Sequence, residues 1–267
     1  MKLRPVAGVA LRQFYLMRGS PTRMLPVFAW VAVDIVLWGF ITRYLNSVSG
    51  SGINFVPQLL GAVLLWDFFT RIMQGVTTAF LEDIWSRNFL NLFATPLLIS
   101  EYVTGLVVTS VVTSALGLAV MLVLATAVFG LPFFQLGVLL VPLLLVLFLF
   151  GIALGILASA LVLRLGPASE WLVWPLPALL SPFAGVFYPL ATLPPWMRAI
   201  GQLLPASYVF EGLRAAVAGQ GLQAAPLAWG AALALVYLGA AALVFAGVFR
   251  HVVRSGLLAR YSAESVS

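Results

Sequence analysis

Apolar residues in this chain come in long blocks separated by short polar or proline-rich breaks, a pattern that predicts hydrophobic helices rather than alternating strands. A helix needs about 20 mainly apolar residues to cross hydrocarbon. Six blocks approach that length: Pro26–Thr42, Pro57–Phe80, Tyr102–Phe129, Leu136–Leu163, Trp171–Tyr188 and Pro226–Phe249. Between the third and fourth lies only Gly130–Gln135, a Gly-Pro turn that makes them a hairpin. Ahead of the first block the pattern is amphipathic. Leu11, Phe14, Tyr15 and Leu16 would dip into lipid while Arg12 and Arg18 face headgroups. This opening segment does not read as a cleavable signal peptide, because Arg12 breaks its apolar patch Val6–Leu11 and no small-residue cleavage site follows.

Two segments fit neither lipid nor water. After the second block, Glu82 and Asp83 close the span, and a short amphipathic stretch sets Phe89, Leu90, Leu92 and Phe93 against Ser86, Arg87, Asn88 and Asn91. Pro96 ends the stretch and Glu101 opens the next span. Such a helix would lie across the membrane surface and either dock a partner or anchor to lipid. The second segment is Phe187–Arg214, where Pro189, Pro194, Pro195 and Pro205 forbid one continuous helix. Prolines are favoured in a first turn, so a helix is expected to start at Pro194–Trp196 and end before Pro205, with a second over Ala206–Leu213. Glu211 and Arg214 lie three apart on the latter. Non-helical backbone at membrane depth is tolerated only where protein or a cavity surrounds it. The reading is a re-entrant helical hairpin, with Tyr188 and Trp196 among its aromatics.

Composition fixes the class. Of 267 residues, 63% are hydrophobic and 8% charged, and the mean hydropathy is +1.10; soluble domains carry roughly 25% charged residues. The chain therefore reads as an all-α integral membrane protein built as one domain: an interfacial segment over 1–25, a six-helix membrane domain over 26–249 and a tail over 250–267. A net charge of +6 does not signal nucleic acid, because the basic residues sit where spans end. With both termini cytoplasmic, ten basic residues (Lys2, Arg4, Arg12, Arg18, Arg23, Arg87, Arg164, Arg250, Arg254 and Arg260) fall inside, against Arg43, Arg198 and Arg214 outside. That excess is what orients helices in a bilayer. The hairpin between spans 5 and 6 is then external.

Chemistry is narrowed by what the chain lacks. There is no cysteine, and His251 is the only histidine, so Cys-based or His-rich metal sites have no ligands here. Lys2 is the only lysine, which excludes a phosphate-binding loop of the Gly-x-x-x-x-Gly-Lys type. ATP and magnesium would have to be bound by another chain. Three ionisable residues lie within spans: Asp34 in the first, Asp67 and Arg71 in the second. Asp34 and Arg71 sit at similar depth and could pair across helices, and Asp67 can meet Arg71 one turn away. They are either a structural cluster or a functional one. Gly151, Gly155 and Ser159, with Thr109/Thr113 and Ser110/Ser114, form small-residue ladders suited to close helix packing, within the chain rather than at a dimer face.

Taken in order, these pieces resemble the membrane subunits of type-2 ABC exporters over nearly the whole chain. The late match is Tyr188-Pro189, Leu193-Pro194, Leu204-Pro205 and Glu211-Gly212-Leu213-Arg214; the early match is Glu82, Asp83, Arg87, Asn88, Leu92, Pro96, Glu101 and Gly105. Many relatives have a Gly-Thr-Leu-Glu-like run where this chain has Ser86-Arg87-Asn88-Phe89-Leu90. The resemblance implies a dimer of permeases above two ATP-binding subunits in a bacterial cytoplasmic membrane. The Arg87–Leu98 helix would sit in a groove of the ATPase, with Phe89 and Phe93 on its apolar face. The pathway would run between the copies, lined by spans 1, 2 and 5. Cargo in this family is lipid, lipid-linked glycan, polysaccharide, peptide or hydrophobic drug. The rival reading is an ion-coupled transporter or channel using Asp34, Asp67 and Arg71, and it calls for inverted repeats that the sequence does not display.

Overall fold

The computed structural model describes residues 3–48, 56–86, 91–92, 94–130, 137 and 140–256, with their side chains apart from those of 21–24, 26–28, 31, 56 and 167. Among the described residues the chain is all-helical, with nine α-helices and no strand. They are α1 (Leu3–Arg18), α2 (Pro21–Val48), α3 (Gly61–Trp85, led in by a π-turn over Val56–Leu60), α4 (Ile99–Phe129), α5 (Leu140–Leu165), α6 (Leu176–Ala184), α7 (Pro195–Gln202), α8 (Pro205–Val217) and α9 (Ala224–Arg254). Short 3-10 segments precede α6 (Pro167–Leu172) and α7 (Leu190–Thr192).

Four helical stretches among the described residues are long and apolar enough to cross a membrane: Pro57–Trp85, Ile99–Phe129, Leu140–Leu165 and Ala224–Arg254. The predicted first span lies within α2, a continuous helix of 28 residues. The predicted fifth span, Trp171–Tyr188, does not form one helix. Pro175, Pro177 and Pro182 withhold backbone donors, and Gly185, at φ 61°, ends α6 after only nine residues. Of the predicted turn between α4 and α5, Gly130 caps α4 in the left-handed region at φ 66°, donating its N–H to Thr126. Residues 131–136 lie outside the described set.

Interior and exterior are divided unevenly. In the most apolar window of α3, 61% of residues are buried, and in that of α5, 56%, against 22% for α4 and 17% for α9. The centre of the fold is therefore α3 against α5. Phe69 stacks on Phe150 with ring centroids 5.3 Å apart, and Tyr237 of α9 meets Phe150 edge-on at 5.2 Å. The small-residue ladder of α5 lies on this crossing. A Cβ on Gly151 would come within 3.1 Å of Ile72, and one on Gly155 within 2.8 Å of the Met73 carbonyl. Thr77 then donates across the gap to the Gly155 carbonyl at 3.3 Å. On the other side of α3, Gly75 faces Ser110 of α4, whose hydroxyl donates to the Ile72 carbonyl at 2.9 Å. Both ladders serve packing within the chain, as close backbone approach requires.

This packing makes a testable contrast. Gly155→Val should destabilise the protein by about 1–3 kcal/mol through overpacking. Gly247→Ala, where a Cβ meets nothing within 4 Å, should be neutral or stabilising by about 0.5–1 kcal/mol. Thermal unfolding of the detergent-solubilised variants checks both; equal midpoints would contradict the assignment of the crossing.

Candidate functional site

At one end of the bundle, three helices meet on a single carboxylate. Asp83, in the last turn of α3, has a fully buried side chain. Its Oδ1 accepts a hydrogen bond from Arg12 of α1, and its Oδ2 accepts one from the Tyr102 hydroxyl of α4 at 2.7 Å. Arg12 therefore turns inward rather than toward headgroups as predicted. The buried face of α1 is Val6, Val9 and Gln13, and Val9 packs so closely on α4 that a Cβ at Gly105 would come within 2.6 Å of it. That approach carries Arg12 to Asp83. Leu11, Phe14 and Tyr15 stay exposed, as the amphipathic reading requires. The hydrogen bond to Asp83, outweighing lost hydration, raises the pKa of Arg12 above its ordinary value, so its charge is fixed at any working pH.

The predicted docking segment starts and ends at this node. Glu82 is half-buried beside it. Glu101 is buried and accepts from the Leu98 N–H at 3.3 Å, capping the first turn of α4. Asp83 and Glu101 are thus both engaged within the chain, at the two ends of the predicted segment. Leu92 is half-buried and packs against the main core, and Pro96 is exposed in a bend. Arg87, Asn88, Phe89 and Phe93 lie outside the described residues. At the same end the Trp85 indole donates to Glu170 at 3.1 Å, tying α3 to the 3-10 segment after α5.

The ion pair within the spans is Arg71 to Asp67, Nε to Oδ2 at 2.6 Å, one helical turn apart. Asp34 faces the same space from α2. All three line a cavity of about 680 Å³ bounded by α1, α2, α3 and α4, with Trp174 at its edge. The α3 wall is a polar stripe: Asp67, Arg71, Gln74, Thr78 and Glu82 recur every three or four residues on one face of the helix, with Thr70 beside them. Opposite it stand Thr109, Thr113 and Ser114 of α4 and Gln13 of α1. Gln13 and Trp174 were not anticipated as site residues. A polar residue among the buried positions of α1 was the available signal for Gln13.

At the far end, α6, α7 and α8 form a braced lobe. Arg198 donates to the carbonyls of Leu190 (3.2 Å), Ala191 (2.6 Å) and Leu193 (3.3 Å). Glu211 accepts from the Leu190 N–H at 2.7 Å and from Arg214 at 3.0 Å. Tyr188 donates to the Pro182 carbonyl and Tyr208 to that of Gln202. Pro189 and Pro194 flank the 3-10 turn, and Pro205 opens α8. Trp196 is exposed and meets Phe183 edge-on. The helix-break-helix lies where the prolines put it. Arg198, expected only as an outer charge, organises the whole turn.

Several apolar spans with a polar cavity between them define a multi-pass membrane protein. The model of the ABC-2 type transporter family matches residues 10–218, and the chain belongs to that family. It is thus a membrane transport subunit, not itself catalytic, and membership of the family implies partnership with an ATP-binding subunit. A comparison with curated proteins found no match.

The Asp83 node predicts a graded result. Arg12→Ala leaves a buried carboxylate without its cation and should cost about 3–5 kcal/mol, whereas Arg12→Ala combined with Asp83→Leu should recover part of that loss. Unfolding midpoints of the single and double variants measure it. Equal stability of Arg12→Ala and wild type would rule out the node as a structural anchor.

Proposed function

We propose that this chain is the permease of an ATP-driven exporter, pairing with a second permease copy to form the pathway and energised by two separate ATP-binding subunits. It crosses a bacterial cytoplasmic membrane six times, the fifth crossing made by the broken 3-10 and α6 stretch in place of one helix, with both termini cytoplasmic. The observation that carries the reading is the Asp83 node. The predicted docking segment lies between α3 and α4, and these two helices are tied to each other and to α1 within a few residues of its ends. A push on that segment from an ATPase groove would move three helices as one body. The Phe89 and Phe93 face would be the contact, with Glu82, Asp83 and Glu101 holding the segment's base.

The α7 and α8 helices, about 12 and 20 Å long at 1.5 Å per residue, are too short to cross about 30 Å of hydrocarbon. They suit a hairpin dipping into the outer leaflet, where the braced lobe would shape the external mouth. Cargo is a lipid, glycolipid, polysaccharide or hydrophobic drug-like molecule. ATP and magnesium belong to the partner. An ion-coupled mechanism would draw on Asp34, Asp67 and Arg71, but family membership favours ATP as the driving force.

Two measurements test this. Replacing both Phe89 and Phe93 with aspartate should abolish transport and co-purification of the ATP-binding subunit while membrane insertion continues; retained assembly would contradict docking through that face. Ile200→Cys, at an exposed α7 position, should react with an impermeant thiol reagent only from outside. Labelling from the cytoplasmic side would overturn the topology.

A further inference from the structure

Three helix faces change character at one level of the bundle. On α3, the stripe that lines the cavity continues beyond Asp67 as Leu64 and, in the π-turn, Leu60, at the same spacing of three and four. The buried face of α4 runs Ser110, Ser114, Gly117, Met121, Ala125 and Phe129, with hydroxyls before Gly117 and apolar side chains after it. On α2, Trp30 and Asp34 line the cavity, whereas Ile35 and Trp38 belong to the apolar side. Beyond the change, Ile35, Leu60, Leu64, Met121, Ala125 and Phe129 pack into one cluster, none more than 8% exposed.

Arg71 marks the boundary. A Cβ on Gly117 would lie 3.4 Å from its Cδ and 3.8 Å from its Nη1, so the side chain crosses from α3 to rest along α4, held by Asp67. Farther out the packing tightens. A Cβ on Gly39 would overlap the Phe129 ring, Phe40 meets that ring edge-on at 5.6 Å, and the Arg43 guanidinium stands 5.9 Å from its centroid.

The two sides treat water oppositely. A space of about 680 Å³ walled by carboxylates, an amide and hydroxyls is roomy and polar enough to hold water, whereas a packed apolar cluster stays dry. From Asp67 to Glu82 the stripe runs 15 residues, about 22 Å at 1.5 Å per residue. That is most of the roughly 30 Å of hydrocarbon in a bilayer. Water that reaches Asp67 meets the cluster next, and an apolar constriction stops ions by refusing to wet.

We infer that the cavity is a blind, hydrated vestibule entered from the Asp83 end, and that the cluster of α2, α3 and α4, floored by Arg71 on Gly117, is the seal that keeps the subunit ion-tight. The vestibule is therefore not a conduit through the chain. Its sidedness rests on the exporter reading, which puts the Asp83 end in the cytoplasm; the seal does not.

The chain has no cysteine, so a single introduced thiol reports alone. Gln74→Cys in the stripe and Ala125→Cys in the cluster are probed with a charged, impermeant methanethiosulfonate in right-side-out and inverted membrane vesicles holding the full-length chain. Gln74→Cys should react in one orientation and Ala125→Cys in neither. Met121→Ser should open Gln74→Cys to reagent from both sides. In proteoliposomes under a potassium diffusion potential it should also speed proton leak several-fold over wild type. Val123→Ser, at an exposed α4 position, should do neither. Gln74→Cys reacting in both orientations or in neither, Ala125→Cys reacting in either, or Met121→Ser leaking no faster than Val123→Ser would overturn the inference. If Met121→Ser does not assemble, labelling of the two cysteine variants decides. Which orientation admits the reagent reports on the exporter topology: reaction from the external face alone would sink that topology and leave the seal standing.

Discussion

A single buried carboxylate holds the cytoplasm-facing end of the proposed topology together. Asp83 has no exposed surface, and an unpaired charge in such a place is strongly unfavourable. The fold answers by bringing Arg12 from the first helix and the Tyr102 hydroxyl from the fourth to its two oxygens. The remaining features of that end follow. Val9 must lie against Gly105, α1 must lie along α4, and the end of α3 must stay beside the start of α4. One electrostatic demand fixes three helix positions.

The interior obeys a different rule. Lipid tails are as apolar as leucine, so hydrophobicity alone cannot tell a membrane helix which face to bury. Close approach and hydrogen bonds make the choice. Gly155 against the Met73 carbonyl, Gly75 against Ser110, and the Thr77 and Ser110 hydroxyls on neighbouring backbones lock α3 between α4 and α5. With two of its sides engaged, α3 turns its polar stripe toward the space that α1, α2 and the near face of α4 leave open.

The same rule explains what was legible in the sequence. Backbone-directed signals were readable: Pro194, Pro195 and Pro205 marked the break between α7 and α8, Gly130 the end of α4, and the Gly151–Gly155–Ser159 ladder the α3–α5 crossing. Helix breaking and close approach depend on local geometry. Side-chain destinations were harder. Arg12 was assigned to headgroups because its neighbours Leu11, Phe14 and Tyr15 are large and apolar, yet these face outward and the small valines face in. The pairing of Asp67 with Arg71 one turn away was legible, because it needs no helix-to-helix approach. The predicted fifth span failed as one helix because its three prolines outweighed its hydrophobicity.

Arg198 carries a mechanical consequence. By gripping three carbonyls within the single 190–193 turn, it removes the freedom of that loop to flex on its own, and Glu211 bolts the loop to α8. The turn at Gly185 is braced as well, since Tyr188 donates across it to the Pro182 carbonyl. A force on α7 would therefore pass through the loop into α8 and not be absorbed there, as a bracket hands its load to the beam behind it.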